Sequence, residues 1–434
     1  MTTPRSRWPR ILGEAVMMDN VRGELKRDLK VMTIVTSAHT TDHFLQLVLP
    51  PLFPLLKVTY GVSYTDLGLL MTLFYASSGL CQAPVGFLVD RFGARRVLAS
   101  GLATLSCAII AIGLTPTFTI MLPLMVIAGA GNSVFHPADY SLMTVLMSKH
   151  RLARAYGVHT FGGNLGWAVA PMIILGLSAL AGWHAALVVS GLFGLLIAIL
   201  VFVSGSLLSE EFEFLPGKSI RGRDVALLLS TPILLCFVYF ALLSVALVGI
   251  QTFLPATLHA LRGIGLAAAG GALTAYLAGS ALGILAGGFA ADRTRSHERV
   301  VALGLMSAAV LLLLVGVISF SDFWVAAVLA AAGFAAGFTM PSRDMLAREA
   351  TPPGATGKVF GFIYSGLDLG SAITPTILGF LLDRQLPLYV FVVSAAALVL
   401  AIVTTFGVKR TSLSQRKLQR PNIPSDFKIH GAAD

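Results

Sequence analysis

Four polar residues interrupt an apolar stretch near the start of the chain, within VMTIVTSAHTTDHFLQLVLPPLFPLL. They are His39, Asp42, His43 and Gln46, and their spacings of three and four residues place them on one face of a helix. If this helix crosses a bilayer, the carboxylate is costly unless it is protonated or paired, which makes it a candidate proton site. The two imidazoles could share or relay that proton. The alternative is a polar stripe that only bonds to neighbouring helices.

Further polar residues lie in later apolar stretches. Asn132, His136, Asp139 and Tyr140 form one stripe within AGAGNSVFHPADYSLMTVL. A second deep acid, Asp368, lies within GFIYSGLDLGSAITP and completes the predicted proton-coupling set of His39, Asp42, His43 and Asp368. The predicted substrate-binding residues are Gln46, Asn132, His136, Asn164, Tyr239, Gln251 and Tyr364.

The composition indicates which elements must position these residues. Hydrophobic residues make up 56% of the 434 residues and charged residues only 12%, about half the charge of an average soluble domain. The mean hydropathy is +0.82, which favours a membrane protein. The three cysteines have no disulfide or metal spacing, and phosphate loops and nucleophile elbows are absent from the sequence. We therefore predict no enzyme activity, no cofactor and no metal.

Apolar runs of about 20 residues, the length needed to cross the hydrocarbon core, occur about twelve times. Nearly all lysines and arginines fall on one side of the resulting topology, the exceptions being Lys57, Arg262 and Arg384. This asymmetry predicts that both termini are cytoplasmic in a bacterial inner membrane, and it explains the net charge of +10 without a nucleic-acid partner. The predicted spans are 31–56, 66–89, 97–115, 119–147, 155–179, 183–205, 226–258, 266–290, 300–319, 322–347, 358–382 and 387–408.

The two groups of six spans repeat one another. Residues 68–93 match residues 202 positions later, and the later part of the first half matches at an offset of 204, where Asn164 meets Asp368. Parallel six-helix halves with a site between them are typical of secondary transporters. The predicted units are a cytoplasmic arm, an N-terminal bundle, a cytoplasmic linker, a C-terminal bundle and a cytoplasmic tail, at 1–30, 31–205, 206–225, 226–408 and 409–434.

The stretch GFLVDRFGARR, residues 86–96, resembles the loop 2–3 signature of the major facilitator superfamily, and GGFAADRTRSHER is its degenerate second copy. The resemblance implies an all-α membrane protein of 12 transmembrane helices, with the major facilitator fold of two parallel six-helix halves. It also implies a latch that stabilises one conformation of an alternating-access cycle. The predicted latch residues are Gly86, Asp90, Arg91, Gly93, Arg95, Arg96, Asp292 and Arg293.

Three further motifs are similar to those of the fosmidomycin resistance protein group of facilitators. They are NSVFHPA, FGGNLG followed by AP, and SAHTTDHF followed by LPPLFPLL. In this chain Asp42-His43 replaces that group's Asn-Asp pair, and Ala170 replaces the glycine before Pro171. The resemblance implies a proton-coupled exporter of a drug-like compound or metabolite, working as a monomer. Two alternatives remain open: a proton symporter that imports a small organic anion, and a membrane receptor that transports nothing.

Overall fold

The computed structural model describes residues 8–205, 207–208, 226–352 and 355–418. The predicted linker 206–225 falls outside the described residues except for 207–208, and the predicted tail does so from residue 419 onward. The helices are α1 (Trp8–Gln46), α2 (Phe53–Tyr60), α3 (Tyr64–Phe92), α4 (Ala94–Leu114), α5 (Phe118–Asn132), α6 (Phe135–Leu146), α7 (Leu152–Val203), α8 (Thr231–Arg262), α9 (Leu266–Arg293), α10 (His297–Val317), α11 (Asp322–Phe338), α12 (Met340–Ala350), α13 (Thr356–Asp383) and α14 (Leu388–Leu418).

Within the described residues, nine helical segments are long and apolar enough to cross a membrane, or ten if the bent halves of α3 count as one span. One of the nine, Arg154–Val203, has 50 residues, about twice the length of one crossing. Gly182, with φ 81° and ψ 157°, breaks it near the middle. Each predicted span coincides with a helix or a broken helix pair, which is consistent with twelve crossings.

The first predicted span, 31–56, ends too late. Helix α1 stops at Gln46, and a 3₁₀ turn over Pro50–Leu52 leads into the short helix α2. Pro50 and Pro51 explain the difference, because neither has a backbone N–H to donate to the carbonyl four residues earlier. The apolar pattern continues through this turn, since the turn itself is buried.

Two spans are broken at matching places in the two halves. Helix α5 ends at Asn132 and α6 begins at Phe135, just before Pro137. The equivalent break separates α11 from α12, just before Pro341, 204 positions later. Each proline removes one hydrogen bond from the helical ladder, so the internal repeat reappears as a repeated kink.

The halves meet along α3 and α13, a contact that we call the seam. Gly379 lies against the backbone of Tyr64, and Gly68 against the backbone of Pro375. Further along, the Thr72 hydroxyl donates to the Ala372 carbonyl at 2.6 Å. Helices α7 and α9 form the second contact between the halves.

Within the described residues, the seam closes one side of the molecule. Its last close approach is at the middle of α3, where a Cβ on Gly79 would lie 3.0 Å from Asp368 Cβ. Beyond this point a Cβ on Gly86 or Gly361 would meet nothing within 4 Å. We call the closed side, around Tyr64 and Asp383, the gate face, and the open side, around Gly86 and Gly361, the basic face. Gly79 and Asp368 therefore lie at the apex of a cleft that opens to the basic face.

Candidate functional site

Close packing of α7 on α1 creates a buried polar cluster in the N-terminal half. A Cβ on Gly163 would lie 2.7 Å from His39 Nε2 and 2.8 Å from His43 Cε1. Gly166 approaches the Thr40 backbone in the same way. Small residues thus let the two backbones approach closely enough for the imidazoles of α1 to fit between them.

Asp42 lies at the end of a hydrogen-bonded chain across three helices. Asp42 is buried, with 1% of its surface exposed. The Asn132 side-chain amide donates to Asp42 Oδ1 at 2.7 Å, and the Ser78 hydroxyl donates to Asn132 Oδ1 at 2.7 Å. The predicted acid of α1 is therefore connected through α5 to α3, next to the apex residue Gly79.

A second acid in this cluster, Asp139 of α6, was noted in the sequence only as part of a stripe. One carboxylate oxygen lies 3.2 Å from His39 Nδ1 and 3.4 Å from His159 Nε2. The rings of His39 and His159 stack with centroids 4.0 Å apart. Sequence reasoning missed His159, although it lies one helical turn before Gly163 and so shares the face of α7 that packs on α1.

His43 and Gln46 complete the predicted face of α1 through a residue that was not predicted. The Trp167 ring stacks on His43 with a centroid distance of 4.0 Å and an interplanar angle of 8°. The Trp167 indole N–H donates to Gln46 Oε1 at 3.0 Å. This contact holds both side chains in place within the N-terminal half.

The cleft has mixed walls. His136 and Tyr140 are exposed on α6, with ring centroids 6.3 Å apart. On the opposite wall Arg343 lies over the Phe240 ring at 4.6 Å, and Tyr364 packs on the same ring at 5.1 Å. The two walls belong to different halves, because Tyr140 lies on α6 whereas Arg343 and Tyr364 lie on α12 and α13.

Arg343 does not carry a free charge into the cleft. Its Nε donates to Asp344 Oδ1 at 2.9 Å, which forms a local ion pair between adjacent residues. The cleft therefore offers aromatic surface, an imidazole and a neutralised ion pair.

Three predicted substrate-binding residues are buried in this conformation. Asn164 is buried and donates to the Thr160 carbonyl of its own helix at 2.9 Å. Tyr239 and Gln251 are 4% and 1% exposed. We infer that these three stabilise helix packing in this conformation.

Asp368 stands apart from the other acids. It is half-buried at the apex, and among the described residues no hydrogen bond or ion pair involves it. A Cβ on Gly79 would lie 3.0 Å from the Asp368 Cβ, so the carboxylate lies at the point where the halves separate.

The predicted latch residues remain on their own halves in this conformation. Arg95 donates to the Phe202 carbonyl within the N-terminal half, and Arg293 donates to the Phe289 carbonyl one turn earlier in α9. Asp90 is exposed. The other predicted latch residues lie in the second half of α3, at the start of α4 and at the end of α9; they are Gly86, Arg91, Gly93, Arg96 and Asp292.

A different set of contacts holds the gate face closed. Asp383, at the end of α13, accepts hydrogen bonds from the Tyr64 and Thr65 N–H groups, both at 2.8 Å. It also accepts from the Thr65 hydroxyl at 2.6 Å, and Lys57 Nζ lies 3.4 Å away. A carboxylate of one half therefore caps the helix N-terminus of the other, where the helix dipole favours negative charge. We call Lys57, Tyr64, Thr65 and Asp383 the gate.

Comparison with known proteins agrees with this architecture. The family model described as Major Facilitator Superfamily matches residues 35–273 and 253–429. The chain belongs to the Major Facilitator Superfamily. This membership and the all-helical fold confirm the predicted fold class, and they support the expectation of a non-enzymatic, multi-pass membrane protein.

This facilitator is similar to several named relatives. It is 24% identical to the fosmidomycin resistance protein of Escherichia coli over 143 residues, 33% of this chain and 35% of that protein. It is 23% identical to the cis,cis-muconate transport protein of Acinetobacter baylyi over 377 residues, 82% of this chain and 88% of that protein. The chain spans about a third of the length of the first relatives that it matches.

A solved structure has a similar fold. The bacterial homolog of the human lysosomal transporter Spinster, in an inward-facing and occupied conformation, aligns with a TM-score of 0.73 at 16% identity. The alignment covers 89% of this chain and 97% of that one.

Proposed function

We propose that this facilitator is a secondary transporter that exports a small drug-like compound or metabolite in exchange for protons. The observation that carries the proposal is the position of Asp368, a membrane acid without a partner among the described residues, at the apex between the halves. An unpaired carboxylate at membrane depth is favoured in its protonated form, and a site open to one face at a time can take up or release that proton. The limited similarity to the fosmidomycin resistance protein supports export as the direction.

The two acids have different roles in this proposal. Asp368 is directly at the cleft, where substrate arrival can compete with its proton. Asp42 is buried beside the cleft wall and is connected to it through Asn132 and Ser78, with His39 and His43 as its imidazole neighbours. The substrate binds between His136 and Tyr364, with Tyr140 as an additional aromatic surface.

The proposed cycle uses the two predicted bundles, 31–205 and 226–408, as its moving units. The basic face is cytoplasmic in this proposal, in keeping with the distribution of lysine and arginine. The conformation described above is then inward-facing, with the gate formed and the predicted latch released. Closing the basic face would bring the latch residues against the opposite half while the gate opens.

The test begins with the substrate. Cells that express the protein are screened for resistance to chemically varied toxins, which identifies a transported compound. Transport of this compound is then measured in proteoliposomes under a pH gradient imposed in either direction. We expect uphill movement of the compound against the proton gradient. Asp368→Asn should lose the response to the gradient but keep substrate–substrate exchange, because exchange needs no net proton release.

Asp322→Asn is the matched control, because Asp322 is an exposed acid at the start of α11 and lies outside the cleft. Normal uphill transport by Asp368→Asn would refute the role of this residue in coupling.

A second candidate is a proton symporter that imports a small organic anion. The His136 imidazole in the cleft and the buried imidazoles of His39, His43 and His159 beside it favour this candidate, and one long relative is named a cis,cis-muconate transport protein. The same vesicles separate the two candidates, because a symporter accumulates its anion when protons flow in the same direction as the substrate. A chain that moves no tested solute in either arrangement would return attention to the receptor alternative.

A further inference from the structure

Three ligand-type side chains converge inside the N-terminal half. His39, Asp139 and His159 come from α1, α6 and α7 and are 4%, 0% and 1% exposed. One ligand atom of each lies within 4.8 Å of the other two. The sequence alone indicates no metal site here, because these residues are separated by 100 and 20 positions and form no local motif.

These buried groups lack hydrogen bonds. Among the described residues, Nδ1 of His39, both carboxylate oxygens of Asp139 and both ring nitrogens of His159 have no hydrogen-bond partner of acceptable geometry. Buried polar atoms are nearly always satisfied, because leaving one unpaired in an apolar interior costs free energy. So many unsatisfied atoms in one place indicate that a further group belongs between them.

The separations fit a metal ion better than direct hydrogen bonds. Zinc binds imidazole nitrogen and carboxylate oxygen at about 2.0 to 2.2 Å, so two ligands of a tetrahedral ion lie about 3.3 Å apart. The Asp139 oxygen is 3.2 Å from His39 Nδ1 and 3.4 Å from His159 Nε2. The distance between the ligand nitrogens of His39 and His159 is at most 4.8 Å. It would shorten to about the same length when an ion binds.

The surroundings supply charge balance and further coordination. The carboxylates of Asp139 and Asp42 together can offset a divalent cation in this buried region. The His43 and His136 rings lie 4.3 Å and 6.1 Å from the His39 ring by centroid. His136 is exposed to the cleft, so a metal ion could reach the cluster from the basic face past this side chain.

We propose that His39, Asp139 and His159 form a binding site for a divalent transition-metal ion of the zinc class. Two imidazoles and one carboxylate suit Zn²⁺, Co²⁺ or Ni²⁺, whereas Mg²⁺ and Ca²⁺ prefer sites made of oxygen ligands. A bound ion would tie α1, α6 and α7 together. The site goes beyond the proposed function and does not depend on Asp368.

The test uses the purified full chain in detergent, stripped with a chelator and titrated with Co²⁺. We expect one equivalent to bind, with the intense visible absorption of a four-coordinate site, and Zn²⁺ to displace it. Bound Co²⁺ should also quench the fluorescence of Trp167, which stacks on His43. Trp167→Phe should remove that quenching and keep the visible band.

Asp139→Asn and His159→Gln should each weaken Co²⁺ binding by about 100-fold or more, since even outer-shell changes at metal sites cost 10- to 100-fold. The matched control is His184→Gln, because His184 is an exposed histidine that stacks on Trp183 outside the cluster.

Less than one equivalent bound to the wild-type chain, or a six-coordinate spectrum, would overturn the proposal without any variant. Equal binding by Asp139→Asn, His159→Gln and the wild type would also overturn it. The assay measures no transport, so its outcome is independent of the proposed function.

Discussion

The gate offers the sharpest test of the conformational cycle. Asp383→Asn removes one acceptor oxygen and the negative charge from the contact that joins α13 to the start of α3. The remaining side chain cannot accept from both the Tyr64 and the Thr65 N–H groups. These contacts cross between the halves, so we expect them to stabilise the gate-closed conformation more than a gate-open one.

The size of the effect follows from the contacts. Loss of a capping side chain costs about 1 kcal/mol. The ion pair with Lys57 adds at most about 1 kcal/mol, because both partners are partly exposed, at 38% and 21% of their side-chain surface. A total of about 2 kcal/mol corresponds to a shift of about 25-fold in the ratio of gate-open to gate-closed molecules.

Electron paramagnetic resonance distances would measure this ratio. Spin labels at Val58 and Leu386, both exposed near the gate on opposite halves, should show a longer distance when the gate opens. The labelled background replaces the three native cysteines, Cys81, Cys107 and Cys236.

Two variants serve as controls for the gate experiment. Lys57→Met removes the ion pair and the contact of the ammonium with the Tyr64 ring, 4.5 Å from its centroid, but keeps the Asp383 cap. It should shift the population by about fivefold. Asp322→Asn makes the same chemical change at an exposed acid outside the gate and should shift nothing. An unchanged distance distribution in Asp383→Asn would show that the cap does not hold the gate closed, and an equal shift in Asp322→Asn would point to surface charge in general.

Three further predictions concern other parts of the molecule. Asp90→Asn should favour the gate-closed population, because the proposed latch stabilises only the conformation in which the basic face is closed and the gate is open. This shift is opposite in sign to that of Asp383→Asn. A shift toward the gate-open state in the same distance measurement would contradict the prediction. Gly163→Ala should lower the midpoint of thermal unfolding, because its new methyl group would overlap the imidazoles of α1 at a cost of about 1–3 kcal/mol. The control Gly176→Ala should leave the midpoint unchanged, since a Cβ there would meet nothing within 4 Å. Equal midpoints for the two variants would rule out tight packing at Gly163. Asp42→Asn should insert and fold but lose proton-coupled uphill transport in vesicles, and transport at the normal rate would remove Asp42 from the mechanism.

The sequence was sufficient for the architecture because membrane spans depend on local quantities. Length, apolarity and loop charge locate the crossings, and the repeated prolines Pro137 and Pro341 locate the two kinks. The end of α1 was misplaced, since the buried turn after Gln46 is as apolar as the helix before it. Local composition cannot distinguish a buried turn from a continuing span.

The site was only partly predictable from the sequence. The face of α1 follows from its three- and four-residue spacing, and it does collect His39, Asp42 and His43. The partners Asp139 and His159 depend on how α6 and α7 pack, which periodicity within one helix does not reveal. Whether Asn164 or Asp368 faces the cleft depends on the relation between the two halves, and that changes with conformation.

Helix α3 contacts the surroundings of both Asp42 and Asp368. Ser78 donates the first hydrogen bond of the chain that leads to Asp42, and its immediate neighbour Gly79 is the last close approach to Asp368. Sliding of α13 over this glycine would change the packing of α3 directly beside the Ser78 hydroxyl. The residue that meets Asp368 and the residue that leads to Asp42 are thus joined by a single peptide bond, so rocking of one bundle would be felt one residue away from the polar interior of the other.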